Sequence, residues 1–119
     1  MEQDQSPDAL VQEYVKDSGL VSLAEWDVLI FLYRHQSSLA SAEQIARLLG
    51  HPNEAVDRAL ETLERHKLIQ RSRPSQGVRF YKLFSEAQLD PSNRLRQLTR
   101  FAAHRSGRLL LVKHLRQSV

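Results

Sequence analysis

Between Arg71 and Lys82 the chain carries four cations, Arg71, Arg73, Arg79 and Lys82, and no carboxylate. Arginine offers a planar fork of donors and lysine a point charge, and both suit phosphate oxygens. Just upstream, Asn53, Glu54, Asp57, Arg58, Glu61, Thr62 and Arg65 fall on one side of a helix whose other side is Val56, Ala59, Leu60 and Leu63. Such polar side chains match the edges of nucleobases. A guanidinium such as Arg58 suits guanine, an amide such as Asn53 suits adenine, and a carboxylate accepts from the amino group of cytosine. Ser41 and Gln44 stand at the start of another short apolar-periodic stretch, where free amides and the helix dipole favour an anion. The chemistry implied is recognition of a polyanion, with the basic stretch supplying attraction and the mixed face supplying discrimination.

These groups must be held by elements that the same pattern specifies. Ser41-x-x-Gln44 is a capping box, followed by Ile45, Leu48 and Leu49 as the inward face and by Gly50 as a left-handed stop. His51-Pro52 makes a turn, and a longer helix runs from about Asn53 to His66. Leu68–Arg71 and Val78–Leu83 read as strands, joined by a connection holding Pro74 and Gly77. Helix, turn, helix and basic hairpin in that order make a helix-turn-helix with a wing, whose second helix commonly enters the major groove of duplex DNA.

Further helices flank this unit. Ser6-Pro7-Asp8 begins one, with Leu10, Val11, Tyr14 and Val15 on one face and Gly19 closing it. Ser22-x-x-Glu25 is a second capping box, opening a helix to about Gln36 in which Trp26, Leu29, Ile30 and either Leu32 or Tyr33 form a buried stripe. Leu39-Ala40 is expected to be a very short strand pairing with the wing. After Asp90-Pro91-Ser92, the residues Leu95, Leu98, Phe101, Ala102, Leu109, Val112 and Leu115 recur at helical intervals, with a bend or break near Ser106-Gly107. The other face of this helix carries Arg94, Arg96, Arg100, Arg105, Arg108, Lys113 and Arg116. The expected organisation is an N-terminal arm and short helix over 1–21, a winged helix-turn-helix core over 22–84 and a C-terminal helix over 85–119: a mainly α fold with a small β-hairpin.

Composition agrees with a single domain. The chain has 119 residues, 41% hydrophobic and 26% charged, and a chain of this length buries about two-thirds of its unfolded surface. Its net charge of +3 conceals a division. Met1–Glu64 holds four Lys/Arg against twelve Asp/Glu, and Arg65–Val119 holds thirteen against two. A basic half of this density is the footprint of a polyanion binder. There is no cysteine, so disulfides and thiolate metal sites are excluded, in keeping with the cytoplasm. No apolar run approaches the ~20 residues that span a bilayer, and the opening MEQDQSPD is unlike a signal peptide.

The segment LLGHPNEAVDRALETLERHKLI resembles the helix-turn-helix of the winged-helix bacterial transcription regulators, the group that includes the MarR, PadR and ArsR types. The resemblance covers about Leu23 to Leu83. It rests on the Gly50 turn, the Val56/Leu60/Leu63 spacing, the Leu68-Ile69 exit and the wing pattern Gly77-x-Arg79-x-Tyr81-x-Leu83, and it is closest to a small MarR-like regulator. It implies double-stranded DNA as partner and a homodimer formed through the terminal helices, here by Leu10, Tyr14, Leu95, Leu98, Phe101, Leu109, Val112 and Leu115. Three features depart from the family pattern. Lys67 stands where a glycine usually follows the second helix, the wing lacks an Asp-x-Arg signature, and Glu54, Asp57 and Glu61 make the second helix acidic.

The residues assign DNA-facing roles to Ser41, Gln44, Asn53, Glu54, Asp57, Arg58, Thr62, Arg71, Arg73, Arg79 and Lys82. An alternative is a module that docks protein on the acidic face of the second helix. The sequence points away from an enzyme, with no phosphate-cradling glycine loop and no nucleophile beside an evident base. His35, His51, His66, His104 and His114 show no metal spacing, and no cofactor is implied. A small-molecule effector in a cleft between the core and the terminal helices stays open, since no pattern identifies one.

Overall fold

The structure, a computed structural model, describes residues 7–35, 39–84 and 94–117. Ser6, Gln36 and the Asp90-Pro91-Ser92 helix start lie outside these, as does the side chain of Leu95. The elements are α1 (Pro7–Ser18), α2 (Leu23–Arg34), β1 (Ala40–Ser41), α3 (Ala42–Leu49), α4 (Asn53–Arg65), β2 (Ile69–Arg71), β3 (Phe80–Leu83), α5 (Arg94–Phe101) and α6 (Arg105–Gln117). The fold is mainly helical with a three-stranded antiparallel sheet of order β1-β3-β2.

Helix boundaries follow the caps. Gly19 and Gly50 take φ of 80° and 76° and close α1 and α3, a left-handed conformation that glycine enters without strain. The Ser41–Gln44 capping box is complete. At α2 only half of the expected box forms. Ser22 Oγ accepts from the Glu25 amide, but Glu25 Oε1 accepts from Val21 N–H at 3.0 Å rather than from Ser22. Glu25 thereby ties the preceding linker to the helix, and its carboxylate is buried.

α4 is capped by His66, and the next residue, Lys67, has a φ of 62°. Leu68 N–H donates to Leu63 C=O at 3.0 Å and Lys67 N–H to Glu64 C=O at 2.9 Å, the bond pair of a Schellman exit. Leu63 and Leu68 are both buried there. This exit turns the chain straight into β2.

Ile69 pairs with Leu83, Gln70 with Lys82 and Arg71 with Tyr81, while Ala40 and Ser41 pair with Tyr81 and Phe80. The short strand expected at Leu39-Ala40 is thus one residue later, and Leu39 is exposed. Ile69 and Leu83, opposite one another, point into the core with Val28, Leu29, Leu32, Ile45, Val56, Leu60 and Leu63. Of the two candidates for the α2 stripe, Leu32 is the buried one.

Three expectations about apolar faces are corrected. Leu48 is 68% exposed. The buried side of α3 is Ile45, Ala46 and partly Leu49, and Leu48 stands about 110° round the helix from its middle at 3.6 residues per turn. The C-terminal helix breaks at Ala102–His104, earlier than Ser106-Gly107. Past the break, the inward residues of α6 are Gly107, Leu111, His114 and Leu115, while Leu109 is 60% exposed. A turn between two helices resets their relative rotation, so one continuous stripe cannot carry across it.

Gly107 fits against Phe101, where an added Cβ would lie 2.1 Å from the carbonyl oxygen. α1 packs on α5 and α6, joined to the core by Tyr14, whose ring meets Trp26 edge-on at 6.4 Å.

Candidate nucleic-acid interface

α4 presents the mixed face that the sequence describes. Asn53, Glu54, Asp57, Arg58 and Glu61 are exposed and Thr62 is half-buried, opposite the buried Val56, Ala59, Leu60 and Leu63. Its N-cap is Pro52, which provides no side-chain cap bond, so the first-turn amides of α4 open outward. In the capping box at the head of α3, Ser41 Oγ accepts from Gln44 N–H at 3.2 Å and Gln44 Oε1 accepts from Ser41 N–H at 3.0 Å. Both acceptors are committed, which leaves the hydroxyl hydrogen of Ser41 and the amide hydrogens of Gln44 as donors toward an anion.

The wing is longer than its two strands. Ser75 and Val78 form an isolated bridge with reciprocal bonds of 2.8 and 3.0 Å. Between them Gln76 and Gly77 have φ of 53° and 81°, positive at both central positions as a twist-matched two-residue hairpin turn requires. Ser72 stiffens the stem. Its amide donates to Phe80 C=O at 2.8 Å, its Oγ accepts from Phe80 N–H at 3.0 Å, and its hydroxyl donates to Arg73 C=O at 2.9 Å. This role of Ser72 was not legible in the sequence, because the Phe80 partner is fixed only by hairpin register.

The cations divide into two groups. Arg71 is tied to Glu64 of α4, Nε to Oε2, at 3.0 Å. Arg73, Arg79 and Lys82 are exposed and form no ion pair among the described residues. Arg47, passed over at the level of sequence, is exposed on α3 beside Glu43, His51, Pro52 and Asn53. Its signal was its position three residues after Gln44, on the same side of the helix.

Two structural links were also invisible in the sequence. Asp27 of α2 meets both Arg108 and His51. Asp8 meets His114 at 2.5 Å, and this bond, ahead of the opposing effect of desolvation and of the charges on His114 and Lys113, holds the Asp8 carboxyl below its usual value.

Residues 21–79, about half of the chain, match a family model described as the MarR family. The core is a MarR-family winged helix. Solved structures place the MarR-type core in the same architecture. Staphylococcus aureus MepR in its complex with DNA is 19% identical, with a TM-score of 0.61 and 90% of each chain covered. The homodimeric winged helix-turn-helix DNA-binding domain Mb0332 of Mycobacterium bovis is 18% identical, with a TM-score of 0.54, over 88% of this chain and 97% of that one. The ferric uptake regulator of Vibrio cholerae is 24% identical, with a TM-score of 0.53, over 62% of this chain and 61% of the regulator's own length. At these identities the likeness is one of fold. Comparison with curated protein sequences gives no significant match.

MarR-type proteins are regulators rather than enzymes. Among the described residues, no helix is long and apolar enough to cross a membrane and no His/Asp/Glu group is placed to hold a metal.

For a second copy, the expected contact residues fall into two sets. Leu10, Tyr14, Leu98 and Leu115 lie in the protomer's own core. Leu109 is exposed and Phe101 and Val112 are half-buried, with Leu109 and Val112 lining an apolar depression with Ala103, His104, Arg105 and Arg108.

Proposed function

We propose that the chain is a homodimeric, sequence-specific regulator of transcription that lays α4 in the major groove of duplex DNA. The observation that carries this is the pairing of an outward polar helix with a stiff wing whose Arg73, Arg79 and Lys82 are exposed and unneutralised among the described residues. Asn53, Glu54, Asp57, Arg58 and Thr62 are assigned to base edges. Ser41, Gln44 and the wing cations, Arg71 included, are assigned to the backbone on either side, where contacts position the protein without reading sequence. The carboxylates of α4 repel phosphate, so attraction comes from the wing and discrimination from the helix. MarR-type relatives such as MepR, solved with DNA, support this reading.

A dimer built on the Leu109–Val112 face would present two wings to half-sites about one helical turn apart. Working on a genome also fits the cytoplasm. A cleft of about 360 Å³ between α2 and the α5–α6 joint, lined by Trp26, Ile30, Phe31 and Arg34 of α2 and by Arg108 of α6, is the place we assign to a small-molecule effector.

The test is Arg73→Ala with Arg79→Ala, measured on mixed-sequence duplex over a range of salt. Losing two phosphate contacts per protomer, four in the dimer, lowers affinity and flattens the slope of log K against log salt by about 3.6. Unchanged affinity and slope would remove the basis for DNA binding and leave the acidic face of α4 to a protein partner.

A further inference from the structure

Asp27 sits in the middle of α2 with both carboxylate oxygens engaged. Arg108 donates Nη1 to Oδ1 at 3.1 Å and Nη2 to Oδ2 at 3.0 Å, the parallel two-point geometry that fixes a guanidinium against a carboxylate. His51 Nε2 lies 2.9 Å from Oδ2. An ionised carboxylate only accepts, so the imidazole donates this bond. The Asp27 side chain is 15% exposed, so its bonds are less screened by water than those of a surface pair.

The three residues come from three parts of the fold. Arg108 is in the first turn of α6, His51 is in the turn that launches α4, and Asp27 lies 81 residues from one and 24 from the other. What else holds that turn is local. Gly50 and His51 amides both donate to Ala46 C=O, and Pro52 gives α4 no side-chain cap. The turn's side-chain tie to the rest of the molecule, among the described residues, is His51 to Asp27. Next to Arg108, Gly107 packs against Phe101 at a distance that leaves no room for a Cβ.

We propose that Asp27 is a positioning residue for duplex binding: Arg108 orients its carboxylate, the carboxylate pins His51, and the C-terminal helix thereby sets the direction in which α4 leaves its turn. This rests on the DNA reading above and concerns the aim of the helix rather than any contact with the duplex.

The test uses the full chain and the tightest duplex that the wild type selects from a random pool, beside mixed-sequence duplex. Arg108→Ala, Asp27→Ala and His51→Ala each weaken binding to the selected duplex about tenfold, within the usual range for coupling between sites. Binding to mixed duplex falls less, and the salt slope keeps its wild-type value because the wing still holds the phosphates. His51→Gln, whose amide nitrogen can take the place of Nε2, restores the selected-duplex affinity. In Asp27→Ala, adding Arg108→Ala costs nothing further, the non-additivity expected of residues acting through one another.

Equal affinity of all three alanine variants and the wild type for the selected duplex would overturn the proposal. So would a loss in which His51→Gln is as poor as His51→Ala, or additive losses for Asp27→Ala and Arg108→Ala. Should Asp27→Ala fail to fold, Arg108→Ala with the two His51 variants carries the test on partly exposed side chains. A wild type that selects no duplex, or an Arg73/Arg79 double variant that binds like it, instead defeats the DNA reading and this proposal with it.

Discussion

At the scale of single residues, Lys67 shows how one backbone angle can be required by the chain's course and opposed by its side chain. The Schellman exit needs a left-handed residue between His66 and Leu68, and Lys67 supplies it at φ of 62°. A non-glycine residue there costs about 1–2 kcal/mol, while glycine would cost about 0.5–1 kcal/mol through the freedom of the unfolded chain. Relief is the larger effect, so Lys67→Gly is expected to raise stability by about 0.5–1 kcal/mol, read as a higher urea midpoint at unchanged m-value. The Asp8–His114 bond gives a pH prediction. The folded pKa of Asp8 lies below its ordinary value of 3.8, so its contribution is fully present above that value and is lost as pH falls through the lower, folded one. Thermal midpoints of wild type and Asp8→Asn should differ just above the ordinary carboxylate range and converge below it. A difference that persisted unchanged into strong acid would mean that ionisation of Asp8 adds nothing to the tie.

At the scale of elements, the joint between α5 and α6 depends on a close approach that only glycine permits. An alanine Cβ at Gly107 would overlap the Phe101 carbonyl oxygen at 2.1 Å, and backbone has no alternative rotamer by which to yield. Gly107→Ala is expected to cost about 1–3 kcal/mol, as overpacking does. The change is measurable by denaturant unfolding, and a neutral substitution would show that the joint can open freely. The same joint explains why the C-terminal periodicity misled. Leu98 and Leu109 share a stripe on paper, but the turn at Ala102–His104 rotates α6, burying Leu111 and Leu115 and turning Leu109 outward. For α3 the periodicity was too coarse, since in an eight-residue helix a rotation of one position separates a half-buried Leu49 from an exposed Leu48.

At the scale of the whole molecule, α6 has a buried face and a second apolar face on which, among the described residues, Leu109 is exposed and Val112 half-buried. Leu109→Asp puts a charge on that face without touching the core. For the proposed homodimer, the expected outcome is a fall in the mass measured in solution from dimer to monomer with the helical content intact. A variant that stayed dimeric would move the interface elsewhere. The division of charge also acts at this scale. The acidic N-terminal half supplies Asp8, Asp27 and Glu64 as partners for His114, Arg108 and Arg71, so part of the basic half is neutralised internally while the wing tip keeps its field. Of these pairs, Asp27–Arg108 holds α6 to the core, Asp8–His114 ties α1 to α6, and Glu64–Arg71 ties α4 to the wing.

The sequence by itself determined the element order, the capped starts of α2 and α3, the glycine stops, the basic wing and the outward face of α4. Each of these depends on neighbours within a few residues, where cap chemistry and helical period act directly. Tertiary structure decided the rotation of α3 and α6, the pairing of Glu64 with Arg71, the Ser72 stiffening of the wing and the clamp of Asp27 by Arg108 and His51. These join positions as far as 81 residues apart. A carboxylate's partner is chosen by which helices pack beside it, and packing is set by the whole core rather than by any one segment.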